Sequence, residues 1–150
     1  MLNEDYRDIL TALVRNRARF LVVGAHALAA HGYPRATVAL DVWIESTARN
    51  AARVWRALVE FGAPLEDLGI RESDFTRPDI VAQFGLPPTR IDLLTSLTGL
   101  TFEHAWGNRI EHVVEDVPVP ILGREELIVN KLATGRDKDR VDVNGLRGET

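Results

Sequence analysis

The spacing of apolar residues divides the chain into alternating helices and strands. Apolar positions three or four residues apart predict helices at residues 4–16, 25–31, 101–106, 124–134 and 137–146. A further helix is predicted between the capping residues Ser46 and Thr47 and the stop at Gly62. Short β-branched runs and alternating patterns predict strands at residues 19–23, 38–45, 80–84, 89–94, 110–114 and 117–121. This order predicts one α/β (or α+β) domain over residues 1–150.

Composition and charge exclude several kinds of protein and several kinds of site. A chain of 150 residues with 45% hydrophobic content can bury one ordinary core. The net charge of −4 argues against a protein that binds nucleic acid through a general basic field, but it leaves room for a local basic pocket. The chain has no cysteine, which excludes disulfides, zinc–thiolate sites and thiol catalysis.

The first residues and the apolar runs of the chain allow a prediction of its cellular location. The segment MLNEDYRDIL lacks the charged-then-apolar pattern of an export signal. No apolar run approaches the roughly 20 residues needed to cross a bilayer. We therefore expect a cytoplasmic protein that does not associate with membranes.

Two aspartates lie where strands are predicted, although aspartate is a poor strand former. Side chains alternate across a strand, so Asp41 shares a face with Ala39, and Asp92 stands at the centre of another strand. The Gly24-Ala25 turn leads from a strand into a helix, and N–H groups at a helix start favour anions such as phosphate. Two strand carboxylates beside such a turn indicate a Mg²⁺ site that handles phosphate. The alternative is that each aspartate faces solvent on an edge strand.

Three blocks of sequence occur in the order found in one superfamily. They are VVGAHALAAHGYPRATVALDVWIE, RIDLLTS and LIVNKLATGRDKDRVDV, within about residues 19–145. Together they resemble the small AbiEii-like, MNT-like nucleotidyltransferases of the DNA polymerase β nucleotidyltransferase superfamily. The resemblance implies the nucleotidyltransferase fold, a small mixed β-sheet flanked by helices. It also implies that Gly24 and Ala25 cradle a triphosphate, and that Asp41 and Asp92 are the second and third acids of a Mg²⁺ site.

The first acid of the resembled pattern falls on Ala39. In such enzymes three acids hold two divalent ions, one activating the attacking hydroxyl and the other neutralising the triphosphate as pyrophosphate leaves. Glu45 lies about 20 Å further along the strand, at ~3.3 Å per residue, and cannot replace the missing ligand. We therefore expect this chain to be inactive or severely impaired. An introduced Asp→Ala change, which the otherwise intact motif favours, and a natural loss of catalysis both remain open.

A lysine in the predicted 124–134 helix is the next candidate. Leu127, Ile128 and Leu132 form its predicted apolar stripe, and Lys131 lies on the border of that stripe. Spacing alone predicts a rim lysine whose ammonium reaches solvent. The resemblance instead implies a catalytic cation directed at the triphosphate.

Polar residues in two turns complete the predicted nucleotide site. Arg136 and Lys138 are candidates for phosphate or ribose contacts, and Asp139 could orient either of them. The alternative is a solvated turn of mixed charge. Arg35 and Thr37 precede the strand that bears Asp41, where they serve either the turn after a proline or phosphate binding.

The resemblance leads to two functional hypotheses. In the first, the chain transfers a nucleoside monophosphate (NMP) from a nucleoside triphosphate (NTP) to an acceptor hydroxyl. The acceptor would be RNA, such as a tRNA 3′ end, or a partner protein, and the chain would be a toxin with a cognate antitoxin. In the second, the chain is a non-catalytic, antitoxin-like or regulatory module that binds a nucleotide or a partner.

Overall fold

The computed structural model describes residues 3–148, and six strands form its sheet. The strands are β1 (Phe20–Val23), β2 (Ala39–Ile44), β3 (Val81–Phe84), β4 (Arg90–Leu94), β5 (Ile110–Val114) and β6 (Val117–Ile121). The helices are α1 (Glu4–Arg15), α2 (Gly24–Ala30), α3 (Ala48–Phe61), α4 (Phe102–Gly107), α5 (Arg124–Thr134) and α6 (Asp137–Leu146). Within residues 3–148, no helix is long and apolar enough to cross a membrane.

Local signals in the sequence account for these boundaries. The side chain of Asn3 accepts a hydrogen bond from the backbone of Tyr6 at the start of α1. Thr47 caps α3 in the same way, and Gly62 ends that helix in the left-handed conformation, at φ 88°. Every predicted helix and strand is confirmed to within one residue at each end. The 3₁₀ helix Glu72–Thr76 was not predicted.

The two strands that carry aspartates lie inside the sheet. The strand order is β3-β4-β2-β1-β6-β5, in which β2 pairs antiparallel with β1 and parallel with β4. Within β2 every residue is buried except Asp41, which is half-buried. The alternative of aspartates on solvated edge strands is therefore wrong.

The core continues along the face of β2 that bears Asp41. Trp43 is 2% exposed, and its ring meets Phe102 of α4 edge-on at 5.2 Å between centroids. This tryptophan is therefore a packing residue and is not free to stack on a base. The predicted apolar stripe of α5 is wrong at Leu132, which is 52% exposed, whereas Leu127 and Ile128 are buried.

A buried asparagine joins three elements at the end of the sheet away from the aspartates. Asn50 of α3 accepts a hydrogen bond from the backbone N–H of Arg19, at 2.7 Å. Its amide donates to the carbonyls of Arg19 and Glu45, at 2.9 and 2.8 Å. One side chain therefore satisfies the backbone where β1 begins and β2 ends.

We predict that Asn50→Ala lowers the free energy of unfolding by about 2–4 kcal/mol, because it leaves the half-buried N–H of Arg19 and carbonyl of Glu45 without partners and takes one of two donors from the Arg19 carbonyl. Urea denaturation would measure the change. Asn108→Ala is the matched control, since the Asn108 amide makes one exposed hydrogen bond, to the carbonyl of His104. Equal losses of unfolding free energy in the two variants would contradict the role of Asn50 in linking α3 to β1 and β2.

Candidate functional site

The two strand aspartates meet beside the first glycine turn. Asp41 is the register partner of Asp92 across β2 and β4, and of Val23 at the end of β1. The two carboxyl groups therefore lie side by side on one face of the sheet. A Cβ at Gly24 would overlap Oδ2 of Asp41, and the φ of this glycine is +66°. Only glycine allows the turn to approach the carboxylate this closely.

Burial changes the acidity of one of these carboxyls. Burial, together with the charge of Asp92 and a hydrogen bond to it, raises the pKa of Asp41 from 3.8 to about 6. Asp41 and Asp92 are therefore like charges that repel each other when both are ionised. A nearby positive charge would favour the fully ionised pair.

An arginine supplies positive charge at Asp92. The side chain of Arg90 donates two hydrogen bonds to this carboxylate, Nε to Oδ1 at 3.0 Å and Nη2 to Oδ2 at 3.1 Å. Asp92 is 7% exposed, so its carboxylate is shielded from water, whereas the side chain of Arg90 is 31% exposed. Sequence reasoning missed Arg90, although two residues of separation on one strand place both side chains on the same face.

The donor set does not match a site for two divalent ions. Ala39 is the register partner of Arg90, so a methyl group stands where the resembled pattern has its first acid. Asp41 and Asp92 remain as donors, and Arg90 already occupies both oxygens of Asp92. Across residues 3–148, no group of three or more histidine, aspartate or glutamate side chains is placed to hold a metal together. The predicted Mg²⁺ site thus keeps two of its three acids.

The basic side of the site is built on α5 and α6. Lys131 is 8% exposed, and its Nζ lies 3.3 Å from Oδ2 of Asp142 and 3.6 Å from Oδ1 of Asp139. The lysine does not reach out to bulk solvent, as a rim residue would. Asp142 also accepts a hydrogen bond from Arg35, which ties the loop before β2 to α6. Sequence reasoning missed Asp142, although it follows Asp139 by three residues on one face of a helix.

Asp139 also holds Arg136, the second cation on this basic side of the site. It is fully buried and accepts from Nε and Nη2 of Arg136, at 2.8 and 3.2 Å, and from the hydroxyl of Thr134, at 2.6 Å. Burial would raise the pKa of Asp139, but these hydrogen bonds outweigh it and hold the pKa well below its usual range. A buried carboxylate cannot touch a ligand, so Asp139 orients Lys131 and Arg136.

Thr37 and Lys138, which were also predicted to contact the nucleotide, differ in their roles. The hydroxyl of Thr37 accepts from the N–H of Ala39, at 3.2 Å, and donates to the carbonyl of the same residue, at 2.9 Å. It therefore serves the turn into β2. Lys138 is exposed on α6 and lines the cleft described next.

These groups surround a cleft of about 430 Å³. Asp41 lines it, and Asp92 does not. The other predicted residues that line the cleft are Gly24, Ala25, Arg35, Thr37, Lys131, Arg136 and Lys138. The chain has two lysines, and both of them line this cleft. A basic wall opposite a carboxylate suits an extended anion whose far end meets the acids.

The short α2 helix adds little to this attraction. It has seven residues, and no side chain caps its start. A helix of two turns has a weak dipole, so we assign anion attraction to the cationic side chains rather than to the helix start predicted from sequence.

A second cavity, of about 730 Å³, adjoins the cleft on the other side of α2. The two cavities share Ala25, Arg35 and Thr37. Arg7 and His26 line the second cavity together with apolar residues of β1, β2 and β6. The second cavity therefore meets the cleft at these three residues, and neither Asp41 nor Asp92 lines it.

Comparisons with solved structures show the fold. The chain is similar to TM1012 of Thermotoga maritima, provisionally described as a nucleotidyltransferase, at TM-score 0.62 and 14% identity over 100% of this chain and 97% of that one. It is also similar to LnuA, a lincosamide antibiotic adenylyltransferase solved with lincomycin, at TM-score 0.57 and 13% identity over 100% and 99%. No family model matches the chain, and no curated protein does. The mixed sheet flanked by helices is thus the fold of these two proteins, as predicted.

We predict that Asp41 makes the protein less stable as the pH rises from about 4 to about 6. The folded carboxyl titrates near pH 6 and the unfolded one near its ordinary value of 3.8, so the folded state binds more protons in this interval. Urea denaturation at a series of pH values would compare the protein with Asp41→Asn, which does not titrate. The stability advantage of Asp41→Asn should grow up to about pH 6 and then level off. A constant difference between the two proteins would contradict the raised pKa.

Proposed function

We propose that the protein binds an NTP in the cleft for transfer of its NMP to an acceptor hydroxyl, with release of pyrophosphate. One observation carries this proposal: Asp41 and Asp92 converge beside Gly24, and a basic wall faces them. The likeness to TM1012 and LnuA supports a shared fold, and the three sequence blocks support the chemistry.

The basic wall would hold the triphosphate. Lys131 and Arg136 are fixed by Asp139, so they would meet the phosphates with little loss of side-chain freedom. Arg35 would approach from the loop before β2, and Lys138 from α6. Gly24 and Ala25 would let the ligand lie against the backbone, and Thr37 would keep the turn in shape.

The acceptor would enter from the second cavity. It meets the cleft at Ala25, Arg35 and Thr37, so a hydroxyl there would come near the phosphates. Arg7 and Arg35 of this cavity already pair with Glu115 and Asp142, so the choice of an RNA acceptor, such as the 3′ end of a tRNA, rests on the sequence resemblance. A partner protein, and a toxin role with a cognate antitoxin, remain proposals that rest on the sequence resemblance.

Alanine at position 39 would weaken transfer while leaving nucleotide binding in place. The wall that would bind phosphate lies on α5 and α6, away from Ala39. The missing carboxylate belongs to the group that would stabilise the reacting oxygens. Since the donor set does not match two ions, we assign no step to a metal in this chain.

A second candidate is a non-catalytic module that binds an NTP without transferring its NMP. The pairing of Arg90 with both oxygens of Asp92 favours it, because this carboxylate is then not free to act on an acceptor hydroxyl. Both candidates require nucleotide in the cleft. They differ in whether any product forms.

We predict that Lys138→Gln lowers the affinity for ATP by about three- to fivefold, the effect of losing one exposed charge contact. Titration calorimetry would measure it. Arg140→Gln is the matched control, because Arg140 is an exposed cation on the same helix that does not line the cleft.

The lysines allow a direct test of where the nucleotide lies. Periodate-oxidised ATP reacts with amines, and the only two lysines of the chain line the cleft. Peptide mapping should find ATP-protected labelling at Lys131 or Lys138. Labelling that ATP does not suppress, or equal affinities of the Lys138→Gln and Arg140→Gln variants, would count against the cleft as the nucleotide site.

We predict that Ala39→Asp raises NMP transfer by about 100-fold or more with Mg²⁺ present, since a third carboxylate completes the expected donor set. Transfer would be measured from α-³²P-labelled NTPs to RNA and protein in a bacterial extract. Ala39→Asn, similar in shape but uncharged, should show no such gain. An Ala39→Asp protein that binds ATP and Mg²⁺ yet labels nothing would contradict the transferase proposal and leave the non-catalytic module.

A further inference from the structure

We infer that the cleft binds its nucleoside triphosphate without a divalent cation, because the guanidinium of Arg90 neutralises the acid pair in place of a metal ion. This inference rests on the proposed function, which places a triphosphate in the cleft. It adds that this ligand needs no divalent cation in order to bind, so its affinity is the same with and without Mg²⁺.

The geometry of Arg90 is that of a bound cation. Its side chain begins on β4, opposite Ala39, and reaches Asp92 two residues further along the same strand. Two parallel N–H···O bonds, at 3.0 and 3.1 Å, fix the guanidinium in the plane of the carboxylate. A guanidinium keeps its charge at any ordinary pH, so this neutralisation is permanent.

Because residue 39 is an alanine, Arg90 stays paired with Asp92 and is the cation beside the two aspartates. A carboxylate at position 39 would lie across from Arg90 on the neighbouring strand and compete with Asp92 for the guanidinium. Mg²⁺ favours six oxygen ligands in a nearly octahedral arrangement. Here only Asp41 has oxygens that no side-chain cation occupies.

The charge balance of the site then suits a free triphosphate. With Arg90 in place, Asp41 and Asp92 together contribute at most one net negative charge to the site. Lys131, Arg136 and Lys138 line the same cleft as Asp41. Without Arg90, two adjacent carboxylates would repel a triphosphate unless a metal ion lay between them.

Measuring ATP affinity in excess EDTA and in excess MgCl₂ tests this inference. Titration calorimetry on the unchanged protein should give dissociation constants that agree to within about twofold. Arg90→Gln should weaken ATP binding in EDTA by about tenfold or more, and Mg²⁺ should restore most of the loss. Arg77→Gln is the matched control, since Arg77 pairs with Asp74 on the surface, outside the cleft, and both affinities should stay unchanged.

Binding of Mn²⁺ without nucleotide provides a second readout. Electron paramagnetic resonance should show weak Mn²⁺ binding by the unchanged protein and at least about tenfold tighter binding by Arg90→Gln, in which both carboxylates are free. Circular dichroism would establish that each variant is folded.

The possible outcomes separate this inference from the proposed function. A protein that binds ATP only with Mg²⁺, or an Arg90→Gln variant that matches the unchanged protein in both buffers, would overturn the inference alone. A protein that binds ATP in neither buffer would overturn the inference and the proposed function together.

Discussion

The parallel pairing of β2 with β4 is the constraint on which the site depends. It sets Asp41 opposite Asp92 and Ala39 opposite Arg90, and the two-residue period of a strand turns all four side chains to one face. A shift of one residue in this pairing would carry Asp92 to the other face of the sheet. Apolar neighbours that are fully buried, such as Leu40 and Leu93, hold the register in place. The functional geometry is therefore set by core packing.

Two like charges held side by side within a sheet need compensation, and the structure supplies it in two ways. Burial shifts the proton equilibrium of Asp41, and Arg90 neutralises Asp92. On the basic side of the cleft, acids stabilise cations instead: the buried Asp139 and Asp142 hold Lys131 and Arg136 in place. The charge of each half of the cleft is thus reduced before a ligand arrives, although Arg35, Lys131, Arg136 and Lys138 still outnumber Asp139 and Asp142. This arrangement allows many ionisable groups to coexist in a small core.

The sequence predicted the elements well because caps, glycine stops and strand alternation are local signals. Its predictions failed where the answer depends on which segments meet in space. Asp142 was missed because the packing of α5 against α6 decides its partners. Leu132 was misplaced for the same reason, since an apolar residue is buried only if another element covers it. Arg90 was missed although its partner, Asp92, lies only two residues further along the same strand. The convergence of Asp41 and Asp92 was expected through a family resemblance and not from spacing alone.

The pairing of Lys131 with Asp139 and Asp142 has a consequence for which anions the cleft would bind. Its cations already have carboxylate partners within the protein, in a region that mobile ions screen poorly. A small anion such as chloride gains little there, because it cannot replace several carboxylate oxygens at once. An anion with many oxygens along a chain can reach several cations together and displace bound water. A cleft built in this way would favour a long polyanion over the small anions of ordinary salts.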